Sequence, residues 1–151
     1  SQTCREPTRR AFGILSGDMS VPEQLVQNVV FEVSQRMSDP TYAQLAIGNF
    51  AESHPDAGRY IALQLSRQGG DELVVTALFH AEVIHQCFRR HLGRDVDAVG
   101  FPHLDRASQV DIEKRCEREE PALASYVASN ADDANMRKLL ALVTLAMNDA
   151  A

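Results

Sequence analysis

Hydrophobic positions along the chain recur at intervals of three and four residues, and strict alternation of apolar and polar positions never persists. The segment LVQNVVFEVSQRM shows the pattern clearly, since its apolar residues form one helical stripe: Val26, Val29, Val30, Val33 and Met37. The dipeptides Asn-Gly and Asp-Gly, which favour hairpin turns, do not occur. The pattern therefore predicts an all-α, single-domain bundle of about six or seven helices, the first around Thr8 to Leu15.

Residues typical of helix ends divide this pattern into segments. Predicted helix starts contain a proline or acidic residues that suit a first turn: Ser20-Val21-Pro22-Glu23, Asp39-Pro40, His54-Pro55-Asp56 and Asp71-Glu72. Glycines mark two predicted helix ends, at Gly69-Gly70 and at Gly93. Residues 93–103 are predicted to form a loop. A charged helix from about Leu104 to Glu119, a short one from Pro121 to Asn130 and a last one from about Asp132 to Asn148 then follow.

Two stretches of the chain resemble each other at a constant offset of 66 residues. HPDAGRYIA at 54–62 and EPALASYVA at 120–128 share a proline, a tyrosine and an alanine. This similarity indicates two related helical halves, around 39–92 and 104–149, although two helices of one bundle that merely begin alike also explain it. The predicted organisation is N-terminal helices at 1–38, a first half at 39–92, a loop at 93–103 and a second half at 104–151, all in one domain spanning 1–151.

The segment RQGGDEL at 67–73 resembles the RxGGDEF motif of diguanylate cyclases, with Leu73 in place of phenylalanine. The resemblance implies a β-hairpin whose glycines approach a nucleotide and whose acidic residues serve a metal ion. The flanking segments 55–68 and 73–92 both have helical periodicity, and the upstream segment of that family is absent. The alternative is a glycine joint between two helices, with Asp71 and Glu72 capping the second, and the surrounding pattern favours this alternative.

Glu82 and His85 are the candidate metal ligands of the chain. Their Glu-x-x-His spacing on a predicted central helix corresponds to one half of a helical di-iron site. The second Glu-x-x-His helix is missing, so further ligands must come from Glu119 or from a second copy of the chain. Cys87 and His91, four residues apart on one face, form a weaker pair. The alternative is a buried thiol and core histidines bonded to their neighbours.

Composition limits the classes of partner. The formal net charge is −6 and the basic residues are scattered or paired with acids, so nucleic acid is not expected as a partner. Apolar runs are too short to span a bilayer, and the first twenty residues lack the apolar segment of a signal peptide. Three cysteines without CxxC spacing favour reduced thiols, and hence a cytoplasmic location.

These observations predict a non-enzymatic interaction, scaffold or regulatory protein without a cofactor. It would associate with another protein or with itself, and the candidate contact residues are Val75, Phe79, Val99 and Phe101. The alternative for these four residues is that they pack under the N-terminal helix. The alternative is a helical bundle that binds a metal or a small molecule through Glu82 and His85. No nucleophile elbow occurs, and Cys87 lies far from the helix N-terminus where a thiol is activated.

Overall fold

The computed structural model describes residues 20–109 and 111–151, and this part of the chain forms seven helices and no strand. The helices are α1 Glu23–Arg36, α2 Tyr42–Ser53, α3 Pro55–Leu92, α4 Phe101–Ala107, α5 Ile112–Glu119, α6 Pro121–Asn130 and α7 Ala134–Ala150. The all-α prediction is thus confirmed. The predicted helix around Thr8 to Leu15 and the residue Cys4 lie outside the described residues.

The glycine pair of the RxGGDEL segment lies at a kink within α3, and no hairpin is present there. Gly70 has φ 70° and ψ −159°, a backbone conformation that residues with a side chain avoid. The helix therefore changes direction at Gly70, as the interpretation of a joint predicts. Asp71 and Glu72 follow the kink with exposed side chains. Neither side chain makes a capping hydrogen bond to the described residues, so any favourable effect comes from the helix dipole alone.

The core forms where α7 packs against α3, α4, α5 and α6. Every residue from Leu139 to Met147 is buried, so α7 is covered on all sides. The second part of α3 was predicted to be central, and it is also largely buried between Ala77 and Phe88. The bundle thus has two central helices, and the remaining helices cover them.

The predicted charged helix from Leu104 to Glu119 is wrong, because the chain there forms two helices. α4 ends at Ala107, and α5 begins at Ile112 after a turn. The predicted loop at 93–103 is also too long, because Phe101 already starts α4. A break between the two helices lets α4 and α5 each bury a short apolar face against α7. The helical periodicity of the sequence runs across the break, which explains the wrong prediction.

The two stretches related by the offset of 66 residues form joints of the same geometry. His54, between α2 and α3, has φ −135° and ψ 69°, and Glu120, between α5 and α6, has φ −137° and ψ 67°. Each backbone N–H donates to the residue four positions earlier, Phe50 or Cys116, at 2.8 Å. Both joints are followed by a proline in the first turn of the next helix. The sequence similarity is therefore accompanied by a similarity of backbone conformation.

The side chains at the two joints receive equivalent hydrogen bonds. The N–H of Val99, just before α4, donates to Nδ1 of His54 at 3.0 Å. The N–H of Val21, just before α1, donates to Oε1 of Glu120 at 2.9 Å. Both valines are buried. The segments just before α1 and α4 thus bind the two joints, which ties together residues 99 and 45 positions apart in the chain.

Candidate functional site

Glu82 and His85 form a buried pair on one face of α3. The imidazole Nδ1 of His85 lies 3.0 Å from Oε1 of Glu82, a hydrogen bond in which the imidazole N–H donates. Only 1% of Glu82 and 3% of His85 is exposed. The sequence pattern places them at the edge of the buried face. They are fully covered because α2 packs along α3.

His54 extends this pair into the core. Its ring centroid lies 4.5 Å from that of His85, with the rings nearly perpendicular, and Phe50 contacts both rings. Because Nδ1 of His54 accepts from the backbone, the neutral ring carries its proton on Nε2. That atom is buried without a hydrogen-bond partner among the described residues. Burial, and secondarily the neighbouring His85, lower the pKa of His54 to about 4.

Glu82 forms part of the floor of an open cavity, and its second oxygen is bonded to Gln86, which lines the same cavity. Nε2 of Gln86 donates to Oε2 at 3.3 Å, and it also lies 3.4 Å from the hydroxyl oxygen of Tyr42. Both distances are long for hydrogen bonds of this kind, so both bonds are weak. Glu82 is thus firmly bonded through His85 and only loosely bonded through Gln86, which lines the cavity.

The cavity above Glu82 has a volume of about 680 Å³ and lies between the start of α2 and the ends of α1 and α3. Four arginines and two acidic residues line it, an excess of two positive charges in a chain whose net charge is −6. The arginines are Arg36, Arg89, Arg90 and Arg94. Arginines near the carboxyl ends of helices also complement the helix dipoles, which explains why they lie at the ends of α1 and α3.

Two of these arginines are already paired with carboxylates. Arg90 makes a two-pronged ion pair with Glu32, at 2.9 and 2.8 Å, and Arg89 lies 3.1 Å from Asp95. The other two, Arg36 and Arg94, form no ion pair with any carboxylate in residues 20–109 or 111–151.

The unpaired guanidinium groups make only weaker contacts. That of Arg36 lies over the ring of Tyr42, 5.8 Å from its centroid, and that of Arg94 donates to the backbone carbonyl of Asp95. Both side chains are exposed, and neither forms an ion pair among the described residues. The positive charge of Arg36 also helps to lower the pKa of Glu32, whose carboxylate is bonded to Arg90.

The residues predicted as metal ligands come together only in part. Glu82 and His85 bond to each other, but Glu119 bonds elsewhere, to Arg115 at 2.6 Å and to Asn148 at 3.3 Å. Within the described ranges, no three histidine, cysteine, aspartate or glutamate side chains are grouped so that they could hold one metal ion. A metal at Glu82 and His85 stays a prediction, and the described residues supply no third ligand.

The weaker pair, Cys87 and His91, is part of the packing of α3. Cys87 is fully buried, and burial raises the pKa of its thiol to about 12. His80, on the same face, lies with Nδ1 2.9 Å from the hydroxyl of Tyr126, and burial lowers the pKa of its imidazole. A buried thiol of this kind acts as a small apolar group and is a poor nucleophile or metal ligand.

Glu120, the counterpart of His54, is a buried carboxyl group far from this cavity in sequence. Burial raises its pKa to about 7, although the hydrogen bond from the Val21 N–H favours the ionised form. Burial thus lowers the pKa of His54 and raises the pKa of Glu120, so each joint residue favours its neutral form.

Reasoning from the sequence missed both His54 and the four arginines. His54 was interpreted only as the start of a helix, although the offset of 66 residues pairs it with Glu120 and marks both as joint residues. The arginines were interpreted as scattered charges because Arg36 is more than fifty residues from the others. Only the packing of α1 beside the end of α3 brings them together.

The four predicted contact residues differ in exposure. Val75 and Phe101 are exposed, whereas Phe79 packs partly against the core and Val99 is buried.

In the described part of the chain, no helix combines the length and the apolar character that a membrane span requires.

Comparisons with protein-family models, with curated protein sequences and with solved structures found no match to this chain. Its function must therefore be argued from the site.

Proposed function

We propose that this protein is a non-enzymatic binding module that holds a small organic anion in the cavity above Glu82. The observation that carries the proposal is the pair Arg36 and Arg94, whose guanidinium groups line a cavity and have no carboxylate partner among the described residues. Guanidinium groups bind carboxylates and phosphates through paired N–H donors. An anion between them would gain direct bonds that the protein itself does not supply.

The size and the lining of the cavity support a small molecule as ligand. Its volume of about 680 Å³ lies within the range of ligand pockets, roughly 300–1,000 Å³. Leu45 and Ala46 give the wall an apolar part, and Tyr42, Asn49 and Gln86 add polar groups. A few polar groups on a partly apolar wall are typical of sites that orient a ligand.

A binding role without catalysis agrees with the state of the possible nucleophiles. Burial raises the pKa values of the Cys87 and Cys116 thiols to about 12. Neither thiol lines the cavity.

The test is a thermal-shift and calorimetric screen of small carboxylates and phosphates at low ionic strength, where charge interactions are least screened. A ligand present at a hundred times its Kd stabilises the protein by about 2.7 kcal/mol. For a chain of this size, that corresponds to a rise in Tm of roughly 5–10 °C. We expect the double variant R36Q/R94Q to lose the rise.

The matched control is R67Q/R118Q, which removes the same charge from two exposed arginines outside the cavity. It should retain the rise in Tm. Equal losses in both double variants would show that net charge, and not the cavity, attracts the anion. Failure of every anion to bind the unmodified protein would refute the proposal.

A second candidate function is association with a protein chain, either a different one or a second copy. Among residues 20–109 and 111–151, six large apolar side chains are more than 40% exposed: Phe31, Met37, Leu45, Leu63, Val75 and Phe101. Exposed apolar groups of this size favour contact with another protein when they are contiguous. Light scattering coupled to gel filtration tests for self-association. A protein that remains monomeric at high concentration would contradict self-association.

A further inference from the structure

The floor and the wall of the cavity carry opposite charges, which specifies the ligand more closely than its negative charge alone. The wall has the unpaired Arg36 and Arg94, and the floor has the carboxyl group of Glu82. A ligand that is only anionic would satisfy the wall but would bring negative charge towards Glu82. A ligand with a positive group at one end and a negative group at the other would satisfy both.

The bonding of Glu82 shows where the positive group would lie. A carboxylate has about four acceptor positions, and Glu82 uses one on Oε1, for His85, and one on Oε2, for Gln86. The Gln86 bond is long, at 3.3 Å, and the same amide nitrogen is shared with Tyr42 at 3.4 Å. An amide N–H held loosely by two acceptors can be displaced by an ammonium group, because the ammonium group adds the attraction of opposite charges to the hydrogen bond with the carboxylate.

Burial increases the gain from such a donor. Only 1% of Glu82 is exposed, and its core-side partner His85 is equally enclosed. Interactions between charges are stronger in such surroundings than in water, and an incompletely bonded buried carboxyl group is costly. An ammonium group that reaches Oε2 from the cavity would therefore be held more tightly than it would be at an exposed glutamate.

We infer that the cavity binds a small zwitterion of the amino-acid type, with its ammonium group on Glu82 and its carboxylate on Arg36 and Arg94. Leu45 and Ala46, beside these groups, would contact the apolar part of the ligand. The inference rests on the proposed function and adds the chemical class of the ligand to it.

The first test uses the unmodified protein and a chemical series of ligands. The twenty standard amino acids are titrated by calorimetry, and the tightest is then compared with its N-acetyl derivative, which is only anionic, and with its methyl ester, which is only cationic. We expect the zwitterion to bind at least about tenfold more tightly than either derivative, the equivalent of one charge-assisted hydrogen bond. N-acetyl binding as tight as that of the free amino acid would overturn the inference but leave the proposed function standing.

The second test separates the two ends of the site in the protein. E82Q keeps an oxygen that accepts from His85 but removes the negative charge. It should weaken binding of the amino acid at least about tenfold and leave binding of the N-acetyl derivative unchanged or tighter. R36Q/R94Q should weaken binding of both ligands. E72Q, which replaces an exposed glutamate on the same helix, is the control and should change the affinity for neither ligand.

The outcomes separate the two proposals. Binding of simple carboxylates or phosphates without binding of any amino acid refutes the zwitterion alone. Absence of all binding refutes the proposed function as well. An E82Q protein whose far-ultraviolet circular dichroism shows lost helix is set aside, and the ligand series on the unmodified protein then decides the inference.

Discussion

Replacing Glu120 by glutamine should make the stability of the protein rise with pH between pH 4.5 and 6.5. Burial raises the pKa of Glu120 from 4.5 to about 7, so the folded protein binds its proton more tightly than the unfolded chain does. One pKa unit corresponds to 1.36 kcal/mol, and this residue therefore lowers stability by about 1.4 kcal/mol per unit as pH rises from 4.5 to 7. Its total effect over that range is roughly 3 kcal/mol.

His54 contributes in the opposite direction. Burial lowers its pKa from 6.5 to about 4, so the folded protein favours the neutral ring. Its contribution is complete above pH 6.5 and is lost as pH falls towards 4, again by about 1.4 kcal/mol per unit. Protonation of the ring at Nδ1 would also break the hydrogen bond from Val99. In the unmodified protein the two contributions nearly cancel between pH 4.5 and 6.5.

The assay is urea unfolding at half-unit pH intervals from 4.5 to 7.5. Relative to the unmodified protein, E120Q should gain about 1.4 kcal/mol of unfolding free energy per pH unit up to pH 7. H54N, which retains an acceptor for the Val99 N–H, should instead lose about 1.4 kcal/mol per unit up to pH 6.5. The free-energy differences from the unmodified protein remove the contribution of the other titrating groups.

A control variant is E117Q, an exposed glutamate on α5. It tests whether the loss of any carboxyl group from this helix produces the same slope. If the E120Q difference does not vary with pH, Glu120 is ionised in the folded protein as it is in water, and the argument from burial fails.

Three further predictions concern the backbone, the thiols and a metal. Gly70→Ala should lower the free energy of unfolding by about 1–3 kcal/mol because Gly70 has a φ of 70°, a conformation unfavourable for alanine. Gly48→Ala, at a helical position with open space around it, should raise the free energy of unfolding by about 0.5–1 kcal/mol. Chemical unfolding measures both values, and an unchanged stability of Gly70→Ala would show that α3 straightens without cost. In a variant lacking Cys4, the two buried thiols should react with a thiol reagent only as fast as the protein unfolds, because burial raises their pKa values to about 12; rapid reaction under native conditions would contradict this. Addition of a chelator should leave Tm unchanged, since two ligands do not make a metal site. Stoichiometric iron or zinc by elemental analysis, lost in Glu82→Ala or His85→Ala, would contradict this and support the metal-binding alternative.

Local signals in the sequence predicted the helices and most of their ends. Proline and aspartate mark the starts of α2 and α3, and Gly70 and Gly93, both with positive φ, mark the kink and the end of α3. These signals are reliable because they depend on backbone conformations that a few neighbouring residues determine. The break between α4 and α5 was missed because no glycine or proline marks it; it depends on packing against α7.

The candidate site could be predicted only in part. Glu82 and His85 were found from their spacing on one helix, since residues three apart on a helix are neighbours. The burial of these two residues could not be predicted, because α2, which covers them, comes from another part of the chain. Arg36 reaches the same cavity as Arg94 only through the packing of α1 beside α3, and sequence spacing carries no information on that packing.

The sequence by itself determined the all-α class, the helix boundaries set by local residues and the similarity between the segments around His54 and Glu120. Only the tertiary structure decided which charges share a cavity, which polar side chains lie buried, and that each joint receives a hydrogen bond from the segment before α1 or α4. The physical reason is the range of the interactions. Helix formation and capping act within a few residues, whereas burial and the pairing of charges depend on helices brought together from distant parts of the chain.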